Sequence, residues 1–281
     1  KNITVLRFAE LIYANSQLHF DTKFPVDISN EVVRSLRQIS KLNCDTIQKL
    51  TREHFTITEA DISDCNIDEV SLSVILSHPL QKLSITNKYS EKLRTSHFPF
   101  WISCISITYW DLTGSSLKNE GLLQSIRSMP NLRALILSHT KVDNMALDMI
   151  TQLNDNLEHI DLSWTSVTDI SPIRRLTKIK VLSLHSLYLE SKEVEYIFRG
   201  LSSLEVLDLA FVFCWRGGLE DMVRLFLFKI FVIDGDYLWP NLRSLNLSFM
   251  DMNELNEEEQ EMLFHALVSK HPKLERLYIC G

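Results

Sequence analysis

The residues best placed for acid–base chemistry are carboxylates that recur in pairs along the chain. The pairs are Glu59 with Asp61, Glu158 with Asp161, and Glu205 with Asp208. Two carboxylates held close together can act as a general acid and a general base. These pairs recur because the surrounding sequence recurs, however, and nothing in the pattern implies a pocket. We therefore expect no catalysis from them, and predict a protein-binding surface of mixed charge.

Metal ligands and cofactor-binding motifs are no better supported. Nine histidines are scattered singly; His139, His159 and His185 lie near predicted strands and could come together in space. A metal site also needs matched spacing and supporting hydrogen bonds, so structural or surface histidines are the simpler interpretation. The chain has seven glycines and no G-x-G-x-x-G, P-loop, H-E-x-x-H or G-x-S-x-G motif. We expect a protein without a cofactor that is not an enzyme.

The charge and the cysteines restrict the partners and the compartment. A net charge of −7 with a pI near 5.7 argues against nucleic-acid binding and against an anionic membrane surface. The most apolar run, from Val223 to Ile233, is about half the roughly 20 residues that a membrane helix needs. Five widely spread cysteines without a C-x-x-C pair argue against a disulfide framework or zinc module and favour the cytoplasm or nucleus.

The elements that would position these residues follow from a repeated pattern, L-x-x-L-x-L, which is the kernel of leucine-rich repeats. Its clearest copies begin at Leu132, Leu157, Leu204 and Leu242, with others at Leu80, Ile179 and Leu274 and weaker ones at Ile57 (ITEADI) and Ile102 (ISCISI). Each kernel predicts a short strand whose alternate residues face the core. The sequence therefore predicts an α/β solenoid, an irregular leucine-rich repeat array over residues 52–281, continuous from about Ile57 to the end.

The segments between kernels return the chain across the other face of the array. Glu193–Leu201 and Glu258–Lys270 carry apolar residues at helical spacing, so we expect helices there. The asparagine or cysteine that usually follows the kernel is mostly absent. Cys65 fits that position, and Thr140 and Thr165 can still hydrogen-bond the turn.

Residues 1–51 contain no kernel. We expect them to form a helical head that caps the array, since an open solenoid end would expose core residues. Helical periodicity spans NITVLRFAELIYANSQLHF, PVDISNEVVRSLRQISKL and CDTIQKLTREHF. Within the second segment, Phe24, Ile28 and Val32 share one face, and Pro25 suits the first turn of a helix. This face could pack against the head itself or contact another protein.

Two further features could form a partner surface. Trp164 directly follows the kernel LEHIDL, and tryptophan is enriched in interface hot spots, although it could equally fill the core. Trp110 follows ISCISI and has the same two interpretations. The longest departure from the repeat period runs from Phe211 to Asn241 and is apolar nearly all round. Such a segment is either buried or bound to a partner; our hypothesis is that Phe228 and Phe231 remain exposed and bind protein.

A helical head with the pattern Φ-P-x-x-Φ-x-x-x-Φ, followed directly by leucine-rich repeats, resembles the Zyg-eleven family of substrate receptors of cullin-two ubiquitin ligases. The resemblance implies a cullin box that contacts cullin two at Phe24, Pro25, Ile28 and Val32. It also implies a box that binds elongin C, at Thr4, Val5, Ala9 and Tyr13. Ala9 stands where that family has cysteine, and Val5 where it has leucine.

The function that this resemblance implies is that of a substrate-recognition adaptor of a cullin two–elongin B/C ubiquitin ligase. It would bind protein through the head helices and the repeats. The alternative is a leucine-rich repeat scaffold that has lost ligase binding, which the departures at Ala9 and Val5 motivate. The sequence does not name the protein substrate.

Overall fold

The computed structural model describes residues 2–15, 20–86, 104–189, 200–214, 232, 239–249 and 255–280. Phe228, Phe231 and most of Glu193–Leu201 lie outside these ranges. The chain divides into two compact units, Lys1–Ala134 and Leu135–Gly281.

The first unit begins with the helical head. Its helices are α1 (Asn2–Ala14), α2 (Val26–Gln38) and α3 (Cys44–Lys49). All three segments with helical periodicity contain a helix, but each helix is shorter than the pattern. The ammonium group of Lys49 donates hydrogen bonds to the carbonyl oxygens of Ile12 (2.7 Å) and Asn15 (2.9 Å), which satisfies the free carbonyls where α1 ends.

Helix α2 packs one face against the rest of the head. Val32, Val33 and Leu36 are fully buried, whereas Ile39, the residue after the helix, is only half-buried. Pro25 stands directly before the first helical residue, where its missing N–H leaves no bond unmade. Of the face predicted from spacing, Val32 is therefore a core residue, whereas Phe24 and Ile28 are half-buried.

The first unit continues with repeats in which short strands alternate with helices. In order these are β1 (Glu59–Asp61), α4 (Glu69–Leu76), β2 (Lys82–Ser84), β3 (Tyr109–Asp111) and α5 (Asn119–Arg127). Strand β2 pairs in parallel with β1 on one side and β3 on the other. Strand β4 (Ala134–Ile136) lies at the boundary of the two units.

The second unit repeats the same arrangement. Its elements are α6 (Asn144–Leu153), β5 (His159–Asp161), a 3₁₀ helix (Ser171–Arg175), β6 (Val181–Ser183), β7 (Tyr188–Leu189), β8 (Val206–Asp208), β9 (Phe213–Cys214), β10 (Ser244–Asn246), α7 (Glu257–Lys270) and β11 (Arg276–Tyr278). Strands β5, β6, β8, β10 and β11 pair in parallel in that order, and β7 pairs separately with β9. The helix predicted over 258–270 is confirmed as α7.

The kernels coincide with these strands, and their apolar residues form the core. In the copy that begins at Leu132, Leu135 and Leu137 are fully buried, as the alternation predicts. The hydroxyl groups of Thr140 and Thr165 donate to the carbonyl oxygens of Leu137 (2.6 Å) and Leu162 (2.7 Å), which confirms their role in the turn. The fold is an irregular leucine-rich repeat array of the α/β class with a helical head.

One kernel lies in a different frame from the predicted one. The weak copy expected at Ile102 (ISCISI) is wrong, because the strand is β3 and its kernel is ITYWDL, from Ile107 to Leu112. Trp110 occupies the middle core position and is fully buried. Of the two interpretations of Trp110, the core one is therefore correct: it lies within a kernel and is not a surface residue. A tryptophan in place of leucine hid this copy of the pattern.

The head caps the array partly through a side-chain oxygen that accepts the backbone hydrogen bonds a preceding strand would accept. At the start of an interior strand, one carbonyl of the preceding repeat accepts two successive N–H groups; Thr58 O accepts from Gln81 (2.7 Å) and Lys82 (3.0 Å). Strand β1 has no preceding repeat. The amide oxygen of Asn30 on α2 takes the role instead and accepts from Thr58 N (2.9 Å) and Glu59 N (3.2 Å).

Candidate functional site

The four residues implied to bind elongin C differ in accessibility. All lie on α1. Thr4 is exposed, Val5 is half-buried and Tyr13 is 43% exposed, whereas Ala9 is fully buried. The head itself therefore covers the position where the family has cysteine. The ring of Tyr13 lies beneath the ammonium group of Lys41, 4.4 Å from its centroid, which holds the ring at the surface.

The four residues implied to contact cullin two divide in the same way. Pro25 is exposed, Phe24 and Ile28 are half-buried, and Val32 is fully buried. Phe24 stacks on Phe55 at a centroid distance of 5.0 Å and also contacts Phe8 and Phe20. The ring of Phe24 is thus partly committed to an aromatic cluster that holds the head together.

Residues from both implied boxes line one open depression. Its volume is about 660 Å³. Val5 from α1 and Val26 and Ile28 from α2 supply its apolar part, and Glu31, Arg34 and Glu59 supply charges. The two segments that the sequence separates by about twenty residues are therefore brought to a common surface.

The charges beside this depression neutralise one another. Glu59 accepts a hydrogen bond from Arg34 (2.6 Å) and pairs with Lys82 (3.2 Å). The hydrogen bonds from Lys82 and then Arg34 lower the pKa of the Glu59 carboxyl, and the bond to Glu59 raises the pKa of Arg34. Arg34 is exposed and Glu59 is half-buried, so these ion pairs contribute little to the stability of the fold.

The paired carboxylates of the sequence have mainly structural partners. The carboxylates of Asp61, Asp161 and Asp208 each accept a hydrogen bond from the backbone N–H two residues further on, at 3.1, 2.8 and 3.0 Å. This local bond shapes the turn after the strand. Glu158 pairs with Lys180 at 2.8 Å. Asp61 borders an open depression in the first unit, where its carboxylate pairs with Arg37 at 2.8 Å.

Two of the described cysteines, Cys65 and Cys104, are protonated thiols. No group of three or more metal-binding side chains exists within the part of the chain that the structure describes. Burial raises the pKa of the Cys65 thiol to about 11 and also raises that of Cys104, so neither is a thiolate near neutral pH.

The second unit carries a row of stacked rings at the carboxyl ends of its strands. We call His139, Trp164, His185, Phe211 and Phe249 the aromatic row. Neighbouring ring centroids are separated by 5.3, 5.9, 5.6 and 4.2 Å in that order. Trp164 and Phe249 are each 52% exposed. Of the predicted partner residues, Trp164 is therefore at the surface.

Four members of the row share an unusual backbone conformation. His139, Trp164, Phe211 and Phe249 have φ between 53° and 59°. Each stands two residues after the last apolar residue of a kernel, where Gly114 occupies the same position in another repeat. A left-handed conformation costs a residue with a Cβ about 1–2 kcal/mol. Sequence reasoning missed the row, although the fixed offset of aromatic residues from the kernels was available as a signal.

The comparisons with known proteins add a weak relationship. The chain matches no protein-family model. It is 22% identical over 216 residues to Gastrulation-defective protein 3 of Caenorhabditis elegans. The alignment covers 70% of this chain but only 30% of that relative, so the chain spans less than a third of its length.

The chain is also similar to several solved structures. One is the TLR13–ssRNA13 complex, with a TM-score of 0.48 and 19% identity over 72% of this chain and 27% of that one. A second is an internalin (inlF) of Listeria monocytogenes, with a TM-score of 0.48 and 14% identity over 81% of this chain and 74% of that one. A third is a leucine-rich repeat protein of Leptospira interrogans, with a TM-score of 0.45 and 17% identity over 97% of this chain and 56% of that one. At these scores the likenesses carry no information about ligands. No described helix has both the length and the apolar character needed to cross a membrane.

Proposed function

We propose that this protein is a substrate-recognition adaptor of a cullin two–elongin B/C ubiquitin ligase, cytoplasmic or nuclear, that binds protein through its head and its repeats. The observation that carries the proposal is the shared depression on the head. Val5 of the elongin-box-like segment and Ile28 of the cullin-box-like segment line it together. A depression lined by both segments fits an adaptor that contacts elongin C and cullin two side by side.

The accessibility of the implied residues supports the same function. Thr4, Tyr13 and Pro25 are exposed, Val5, Phe24 and Ile28 are half-buried, and only Ala9 and Val32 are fully buried. An interface typically has apolar residues at its centre and a polar rim. Here Val5, Val26 and Ile28 would form the centre, and Glu31 and Arg34 part of the rim.

Co-purification of the full chain with elongin B, elongin C and cullin two tests the proposal. We expect the wild-type chain to retain elongin C, and V5D or I28D to lose it or the cullin, because a carboxylate would be buried without a partner. V70D is the matched control, since Val70 is 60% exposed on α4 and does not line the depression. Circular dichroism checks that each variant is folded.

The second candidate is a leucine-rich repeat interaction scaffold without ligase binding. The burial of Ala9 favours it, because the side chain that the family places in the elongin interface is covered here by the head. A folded wild-type chain that retains neither elongin C nor cullin two would support the scaffold and contradict the adaptor.

A further inference from the structure

The aromatic row forms an exposed surface that the fold does not require. Its rings contact one another in sequence: His139 stacks on Trp164, Trp164 is tilted against His185, His185 meets Phe211 edge-on, and Phe211 stacks on Phe249. Trp164 and Phe249 remain half exposed even within the stack. Large apolar rings at a solvent surface are typical of binding sites.

The backbone of these residues indicates that the rings serve a purpose at that position. Asp64 and Gly114 show that small or polar residues fit the same left-handed position in the first unit. Aromatic residues occupy it at His139, Trp164 and Phe211 despite the strain. Ser186 of the second unit has the same conformation, so the turn itself does not need an aromatic ring, and the recurrence of rings there points to a role at the surface.

Two carboxylates lie near the row, at the ends of the strands that precede Trp164 and Phe211. Asp161 and Asp208 end strands β5 and β8, and the register places both opposite Ser183 of the strand between them. They are therefore roughly 10 Å apart, which is two strand spacings. Each is three residues before a ring of the row, Trp164 or Phe211.

These two carboxylates differ from those of strand β1. Glu59 and Asp61 each pair with an arginine or lysine within 3.2 Å, whereas Asp161 and Asp208, like Asp111 on β3, accept hydrogen bonds from their own turns. In the ranges that the structure describes, no ion pair joins Asp161 or Asp208 to a basic side chain; each carboxylate bonds only to its own turn. Two negative charges thus lie beside a stack of rings without a described counter-ion.

We infer that the aromatic row, with Asp161 and Asp208, binds an arginine-bearing segment of a partner protein. A guanidinium group is the side chain that suits both features. It stacks on aromatic faces and it forms two parallel hydrogen bonds with a carboxylate. The charge of the whole chain, −7, favours a basic partner and opposes a nucleic-acid backbone, although bases also stack on aromatic rings.

This surface lies entirely within the second unit, whereas the depression of the proposed ligase contact lies in the first. It does not depend on ligase binding. It assigns a partner chemistry to the repeats, which the proposed function leaves open.

The test measures binding of a synthetic seven-residue peptide of alternating glycine and arginine to the full chain, by calorimetry at about 0.15 M salt so that distant charges are screened. In the first variant, W164G/F249G, the rings are removed but the turn is kept, since Gly114 adopts the same conformation. In the second, D161N/D208N, the charges are removed but the turn bond is kept, since Asn246 makes the same bond to Ser248 N at 3.1 Å.

We expect the wild-type chain to bind the arginine peptide, and both variants to bind it at least about tenfold more weakly. A lysine peptide should also bind more weakly, because an ammonium group cannot stack in the same way. The matched controls are D155N/E258Q, which removes two exposed charges elsewhere in the second unit, and M145A, which removes an exposed apolar side chain. Both controls should bind within about twofold of the wild type.

Absence of binding by the folded wild-type chain would overturn the inference. Equal weakening in D161N/D208N and D155N/E258Q would also overturn it, because the peptide would then respond to total charge alone. Tighter binding of an oligouridylate than of the peptide would assign the row to nucleic acid instead.

Discussion

His78 is buried with both ring nitrogens engaged. The backbone N–H of Ile57 donates to its Nδ1 at 3.3 Å, so Nδ1 carries no proton and Nε2–H donates to the carbonyl of Leu50 at 2.8 Å. Burial lowers the pKa of His78, and Arg52 and Lys23 lower it further. Burial likewise lowers the pKa of His271, whose Nδ1 lies 3.0 Å from the carbonyl of Leu267. Both imidazoles are therefore neutral in the folded protein near pH 7, where they accept or donate structural hydrogen bonds.

These two histidines predict that stability falls in mild acid. Because their folded pKa lies below the unfolded value of about 6.5, the unfolded chain takes up protons first. Their contribution is fully present above pH ~6.5 and is lost as the pH falls below it, toward the folded pKa. The urea midpoint should therefore be lower at pH 5.5 than at pH 7.5, as measured by circular dichroism.

The double variant H78Q/H271Q should lose part of this pH dependence, because glutamine does not titrate. H265Q is the control, since His265 is exposed on α7. A double variant whose midpoint shifts with pH as much as the wild type would assign the effect to other groups.

At the scale of the element, α2 takes the place of a missing repeat. Its Asn30 supplies the oxygen that a preceding strand would supply, and its amide group donates to the hydroxyl of Thr58 at 2.9 Å. Ser29 adds a second link, since its hydroxyl accepts from Thr56 N at 3.0 Å. The helix therefore meets the strand edge through hydrogen bonds as well as through Val32 and Val33 in the core. An unpaired strand edge would otherwise be open to other chains.

Removal of the Asn30 side chain should destabilise this junction. N30A leaves the N–H groups of Thr58 and Glu59 without an acceptor, and we expect a cost of about 1–3 kcal/mol in the free energy of unfolding. N30D is the control, because it keeps an acceptor oxygen and should cost less. Urea denaturation measures both. An equal loss in the two variants would show that the donated bond to Thr58, and not the accepted pair, holds the edge.

At the scale of the whole molecule, each repeat depends on its neighbour. The carbonyls of Gln81, Lys180 and Glu205 each accept two N–H groups from the next strand, as Thr58 does. A single repeat can bury neither its core nor these groups alone. The chain divides into two compact units, so a single continuous solenoid from Ile57 to the end remains a prediction.

We expect thermal unfolding to be cooperative across the chain, with local fraying at the ends. Calorimetry tests this by comparing the measured enthalpy with the van't Hoff enthalpy. Fluorescence of Trp110 in the first unit and Trp239 in the second, each retained alone with the other tryptophans replaced by phenylalanine, should give one midpoint. Two well-separated transitions would contradict the expectation.

The sequence by itself determined the repeat class, the position of most strands and the helical head. These depend on local spacing, since alternation within LRALIL already decides that Leu135 and Leu137 face the core. It failed locally at Trp110, where a bulky residue replaced the expected leucine. The burial of Ala9 and Val32, the shared depression and the aromatic row were decided only by tertiary structure. Each of these features brings together residues that lie about twenty or more positions apart in the sequence. Strand register and turn conformation determine which of those residues meet, and spacing along the chain does not.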